Sequence, residues 1–186
     1  MKRLWSFVFA CVIVFGMLGC GANKNSVYDE CLAFVAYGGT GTPKGIYAMS
    51  LNSDRAGYGL EKEFPIYRFD QLEDVEWFRS TFPSVPFDQS GRGHASLQAT
   101  FSACDDAFFE KNSLMLVFVA ASSGSFRYGV RDVLCDGESF YIDVERTNDP
   151  EVATDNMAYW FILVTVPDAI VDGCTTFGAR YAGVKK

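Results

Sequence analysis

Two runs of apolar residues constrain this chain of 186 residues more than any other feature. Residues 114–121 (Leu-Met-Leu-Val-Phe-Val-Ala-Ala) and 157–166 (Met-Ala-Tyr-Trp-Phe-Ile-Leu-Val-Thr-Val) carry no charge and are rich in β-branched and aromatic side chains. A strand with one wet face alternates polar and apolar residues, whereas a short unbroken apolar run is the mark of a strand buried on both faces. The first run is therefore expected at the centre of its sheet. The second is a buried strand and not a membrane helix, because ten residues are too few to span lipid and Pro167 closes it.

The intervening sequence changes period in recognisable ways. Residues 126–131 and 140–145 alternate apolar and polar positions around Asp136-Gly137, a strong hairpin signal. A three-residue loop places Val130 opposite Val144 and Arg131 opposite Asp143, matching like faces and opposite charges. Residues 31–37, closed by Gly38-Gly39, read as a first strand, and Ile46-Tyr47 as another strand-like piece. Over 70–82, Leu72, Val75, Phe78 and Phe82 recur at helical spacing, with Asp70 as the expected cap, Glu73 reaching back to it, and Pro83 as the stop. A second short helical piece is expected over 102–111, capped by Ser102. Residues 168–171 make one helical turn, 175–182 a final edge strand, and 83–96 a surface loop.

The N-terminus supplies an address. Lys2 and Arg3 precede an apolar run over 4–18, interrupted by Ser6 and Gly16. As a helix this run measures roughly 22 Å, short of the roughly 30 Å hydrocarbon core, so it reads as a secretory signal. It ends in Met17-Leu18-Gly19-Cys20, which resembles the lipobox of bacterial lipoprotein signals. That resemblance implies cleavage before Cys20, acylation of its thiol and a mature protein held by lipid. Residues 1–19 are then the signal peptide, 20–25 a lipidated tether and 26–184 a single domain. The expected location is the outer face of the bacterial cytoplasmic membrane, or the envelope of a diderm.

Charge and chemistry narrow the function classes. Sixteen basic against twenty-three acidic side chains leave a net charge of −7, the wrong sign for a surface that grips nucleic acid. Losing Lys2 and Arg3 with the signal makes the remainder more acidic, so the lipid and not a basic patch would hold the membrane. Beyond Cys20 lie Cys31, Cys104, Cys135 and Cys174, candidate disulfide cysteines in an exported protein, with three possible pairings and no spacing that chooses among them. No pair is spaced CxxC and the one histidine is His94, so no metal site and no cofactor is expected. The glycine-rich residues 39–45 lack the Gly-Lys-Ser/Thr of a phosphate loop, and Glu73, Asp74 and Glu76 read as a solvated helix face. A Cys104–His94 dyad lacks an orienting third group in the sequence, and no nucleophile elbow or zinc-protease motif occurs.

From about residue 109 to 171 the chain resembles a family of small exported β domains in bacterial lipoproteins, akin to the C-terminal domain of PrcB-type protease-complex accessory subunits. The residues that carry the likeness are the strand at 114–121, the Ser-Gly-Ser turn at 123–125 followed by Phe126 and Tyr128, the hairpin, and Thr154-Asp155-Asn156-Met157-Ala158-Tyr159-Trp160 leading into the second apolar run. Where that family shows Gly-Gly-Tyr at the turn, this chain has Gly124-Ser125-Phe126. The resemblance implies an envelope module that binds another exported protein, in the named family a protease, and brings no catalytic residues.

The expected architecture is α+β, a single domain whose mainly antiparallel β-sheet packs against one or two short helices. The expected role is a noncatalytic accessory or protein-binding module, with Arg127, Arg131 and Arg146 as the candidate partner-binding surface. The rivals are a hydrolase assembled only in space and a small-ligand-binding lipoprotein with a groove of Tyr128, Tyr141, Tyr159 and Trp160.

Overall fold

The computed structural model describes residues 25–39, 43–91 and 93–185. The expected signal 1–19 and the lipid-bearing Cys20 lie outside the described residues, as do 40–42 of the glycine-rich loop. Among the described residues no helix is long and apolar enough to cross a membrane. In chain order the elements are β1 (Asn25–Ser26), a 3-10 turn at Tyr28–Glu30, β2 (Leu32–Gly39), β3 (Ile66–Phe69), α1 (Leu72–Thr81), α2 (Leu97–Phe101) and α3 (Asp106–Phe109). They continue with β4 (Asn112–Ala121), β5 (Tyr128–Cys135), β6 (Ser139–Arg146), β7 (Ala158–Pro167), α4 (Asp168–Val171) and β8 (Thr176–Val184).

The two apolar runs become β4 and β7, paired antiparallel without a break from Asn112 opposite Pro167 to Ala121 opposite Ala158. They occupy the middle of a core sheet ordered β2-β7-β4-β3. Met115, Val117, Val119, Trp160, Ile162 and Val164 point to one side, and Leu114, Leu116, Phe118, Tyr159, Phe161 and Leu163 to the other. All twelve are buried, so the sheet needs an apolar layer on each face.

The two layers differ in kind. Val75, Phe78 and Phe82 from α1 and its end, Leu97 and Phe101 from α2, and Phe109 from α3 cover one face. The other face meets a second sheet, ordered β1-β5-β6-β8, through Val133, Phe140, Ile142, Val144 and Ala179. The architecture is thus α+β in one compact domain, with a second sheet added to the expected sheet and helices. In this outer sheet β8 runs parallel to β6, the one parallel pair among the described strands.

Several local expectations are corrected. Ile46-Tyr47 lies in consecutive turns and not in a strand. The Ile46 carbonyl is taken by the buried Tyr67 hydroxyl and its N–H by Pro43, which leaves no ladder to join. At α1, Gln71 holds the cap position without a side-chain bond, and Asp74, not Glu73, accepts the Asp70 N–H at 2.9 Å. Asp70 is drawn away by Arg68 and Ser113, each 2.6 Å from its Oδ1, and a charge-assisted bond outcompetes a cap. Of the helical piece expected over 102–111 only α3 is helical, and Asp105 caps it; Ser102 instead ends α2, which lies before that piece and is capped by Ser96.

The hairpin keeps Val130 opposite Val144, then a bulge places Asp132 opposite Asp143. Arg131 therefore does not face Asp143. The bulge follows from the apolar positions, Tyr128 and Val130 in one phase and Val133 and Cys135 in the other, since one extra residue turns both pairs inward. Asp143 pairs instead with Arg180 of β8, at 2.6 and 3.3 Å. Gly178 of β8 must lack a side chain, because a Cβ there would collide with the Tyr141 ring.

Between β2 and β3 the chain is pinned by Asn52, which is fully buried. Its amide donates to the Phe64 carbonyl at 2.9 Å and to Glu63 at 3.0 Å, and its carbonyl accepts the Ile66 N–H at 3.3 Å. Asn52→Leu removes all three bonds and strands two buried backbone groups, so it is expected to cost about 3 kcal/mol in urea unfolding. A loss below about 1 kcal/mol would show that the segment is held by other contacts.

Burial also sets an alkaline limit. It pushes the phenols of Tyr47 and Tyr128 up to about 12 and the Cys31 thiol up to about 11. Each group holds its proton more tightly folded than unfolded, so its contribution is complete below the unfolded values of 9.0 and 10.0 and is lost as pH rises towards 12. Melting temperature followed against pH is expected to decline between pH 9 and pH 12; a melting temperature that holds level across that range contradicts the assignment.

Candidate functional site

The helical layer does not reach the whole core sheet. β2 is an edge strand, paired only with β7 among the described strands, and Leu32 and Phe34 project from it towards the helical side. They remain 64% and 47% exposed. Opposite them stand α2 and α3, each about one turn long, with Ala99, Ala103 and Phe108 turned to the gap. Leu97 and Phe101 on the other side of α2 are spent in the core, so small alanines form the wall. The result is an apolar groove of about 520 Å³, floored by Leu114 and Thr165.

Its chemistry is sparse. Among the described residues Thr100, Asn112 and Thr165 are the polar ones along it, and Cys104 is its one titratable side chain. Burial, with Asp105 nearby, raises the Cys104 thiol above its ordinary pKa, and the sulfur donates to the Thr100 carbonyl at 3.6 Å. A thiol kept protonated in apolar surroundings is a poor nucleophile. His94 packs edge-on against Trp160, 5.3 Å between centroids, on the intersheet side, whereas Cys104 belongs to the cluster under the helices; the two do not form a dyad.

The arginines expected to face a partner are placed differently from one another. Arg127 donates to the Gly124 and Phe126 carbonyls at 3.0 and 2.9 Å and lies 5.1 Å over the Trp160 ring. Arg146 sits 4.5 Å over Phe126 and pairs with Asp149. Only Arg131 of the three is exposed, and it donates to the Ala182 carbonyl at 2.8 Å. The aromatic quartet does not make a groove either: Tyr159 and Trp160 are neighbours in sequence and so point to opposite faces of the sheet.

The cysteines separate in the same way. Cys31 lies in the intersheet cluster, its thiol donating to the Val27 carbonyl at 3.4 Å, while Cys104 lies beyond the sheet. Cys135 and Cys174 come together, with Sγ atoms 3.5 Å apart. All four are thiols in this structure. Among the described residues, no group of three or more His, Cys, Asp or Glu is arranged to hold a metal ion.

Leu32 and Phe34 are the residues that sequence reasoning passed over. Their alternation marks a strand, but whether a helix covers them depends on how far α2 and α3 reach. The one available signal was Ala99 on α2 and Ala103 in the turn after it, small where a covering layer places large side chains. Comparison with protein-family models, curated proteins and solved structures finds no match for this chain.

If the groove is accessible, an apolar fluorescent probe binds it and Ala99→Phe, at an exposed helical position, fills it. Probe affinity is expected to drop about tenfold while the melting temperature stays within about 3 °C. Unchanged affinity would place probe binding elsewhere.

Proposed function

We propose that the chain is a lipid-anchored module, held at Cys20 on the outer face of the bacterial cytoplasmic membrane or in a diderm envelope, that binds an extended apolar segment of another exported protein and performs no catalysis itself. The observation that carries this reading is the coincidence of an open strand edge with an apolar groove beneath the same strand. Strand addition to β2 supplies backbone hydrogen bonds, and alternate side chains of the incoming segment enter the groove beside Leu32 and Phe34. Sheet edges are ordinarily protected by Lys, Pro or a bulge, and residues 32–35 (Leu-Ala-Phe-Val) carry none of these. The bulge comes later, between Tyr37 and Gly39. The resemblance to PrcB-type subunits makes a protease the kind of partner to look for first.

A second reading is favoured by the groove's volume alone, which falls in the range of small-molecule sites, and its lining suits an apolar compound. Both readings are separated by installing a photocrosslinking amino acid at Phe34 and, as control, at Val152, which is 81% exposed and distant from β2 in sequence. In intact cells a discrete protein adduct is expected from position 34 and not from 152, and it is expected to weaken when Cys20→Ser removes the anchor. Adducts of equal pattern from both positions, or none from 34, overturn the protein-binding reading.

A further inference from the structure

Cys135 ends β5, and Cys174 precedes β8, so the two belong to strands separated by β6 in the outer sheet. They meet around the start of β6, where Thr175 and Thr176 N–H groups both bond the Glu138 carbonyl at 2.8 and 3.1 Å. Their Sγ atoms are 3.5 Å apart, and both thiols are directed at one acceptor, the Ile170 carbonyl, at 3.4 and 3.6 Å. Two thiols sharing one carbonyl already point at the same spot. A disulfide needs about 2.05 Å, so closure by about 1.5 Å, shared between two side chains, converts contact into bond.

We infer that Cys135 and Cys174 form a disulfide in the exported protein, and that Cys31 and Cys104 remain thiols. The inference rests on the export reading for its oxidising compartment, but the pairing rests on geometry alone. Cys31 and Cys104 are on opposite faces of the core sheet and have no bridging partner between them. The bond also has a mechanical position. Among the described strands β1 pairs only with β5, Asn25 opposite Cys135, so the tether from Cys20 enters the fold against the strand that the disulfide would staple. A pull on the lipid anchor is then transmitted through Cys135 to the loop before β8.

The oxidant is a small or protein disulfide. Cys135 is the half-exposed member and accepts the Gly137 N–H at 3.4 Å, so its thiolate is the attacking group. It displaces one thiol from the oxidant to give a mixed disulfide. Cys174 then gives up its proton and attacks the Cys135 sulfur, expelling the second thiol. Two electrons and two protons pass from the cysteine pair to the oxidant, which leaves as two thiols. Burial, with the neighbouring Cys135, holds the Cys174 thiol of the reduced protein above its ordinary pKa, so it attacks second and not first.

The purified, reduced protein is exposed to oxidised glutathione and digested without reduction. The expected product has lost two hydrogen atoms, yields a linked peptide joining 135 to 174, and melts about 5–10 °C higher than the reduced form. Cys135→Ala and Cys174→Ala each abolish the link, whereas a Cys31→Ala, Cys104→Ala double variant retains it. Glutathione adducts at Cys135 with no 135–174 link overturn the pairing. In cells, rapid thiol trapping after fractionation is expected to show the bond in envelope material and free thiols in a variant lacking residues 1–19. Free thiols in wild-type envelope material overturn the disulfide; wild-type protein recovered in the cytoplasm overturns the export reading and leaves the glutathione result to decide the pairing.

Discussion

The antiparallel ladder between β4 and β7 is the constraint on which the remaining structure depends. Ten residues of each strand pair in unbroken register, and apart from Asn112, Ser113 and Thr165 both faces of that pair are apolar. A strand pair of this kind cannot face water on either side; β2 and β3 extend its sheet, and the helices and the outer sheet can be understood by which face they cover. Helices and loops cover the side of Leu114, Leu116 and Phe118; the outer sheet covers the side of Met115, Val117 and Val119. Fully burying one such side chain contributes about 1.5–3 kcal/mol, so neither layer is dispensable.

The unequal reach of the two layers generates the candidate site. On the intersheet side the cover extends from Val133 to Ala179, with Tyr128, Phe126 and Tyr181 at its margin. On the helical side α1 packs over β3 and the large rings around Phe78, while α2 and α3 are too short to close over the start of β2. Leu32 and Phe34 are left as apolar side chains on an edge whose backbone is also open. A partner strand resolves both deficits together, because strand pairing and side-chain burial occur on the same residues. Arg127 and Arg146 are committed to the rings of Trp160 and Phe126 and strengthen the turn at residues 123–127 from within.

Much of the architecture was legible because it is written in single-strand periodicity. Unbroken apolar runs marked β4 and β7, alternation marked β5 and β6, and the spacing of Val75, Phe78 and Phe82 marked α1. What escaped depended on competition between residues distant in sequence. Asp70 was a sound cap until Arg68 and Ser113 claimed it; Arg131 was a sound partner for Asp143 until a bulge shifted the register and Arg180 arrived from β8. The bulge itself was written in the phase change between Val130 and Val133. The site was less legible than the fold, since an uncovered side chain is defined by what fails to pack on it, and neither the length of α2 nor its distance from β2 follows from local pattern.

Amide hydrogen exchange resolved by residue, on the purified protein without a partner, tests the central claim most directly. The paired amides of β4 and β7 are expected to exchange only through global unfolding, while the outward-pointing amides in residues 32–35 exchange orders of magnitude faster, as an open edge requires. Protection of all four β2 amides at the level of β7 would mean that the edge is already covered, and would contradict the proposed strand addition.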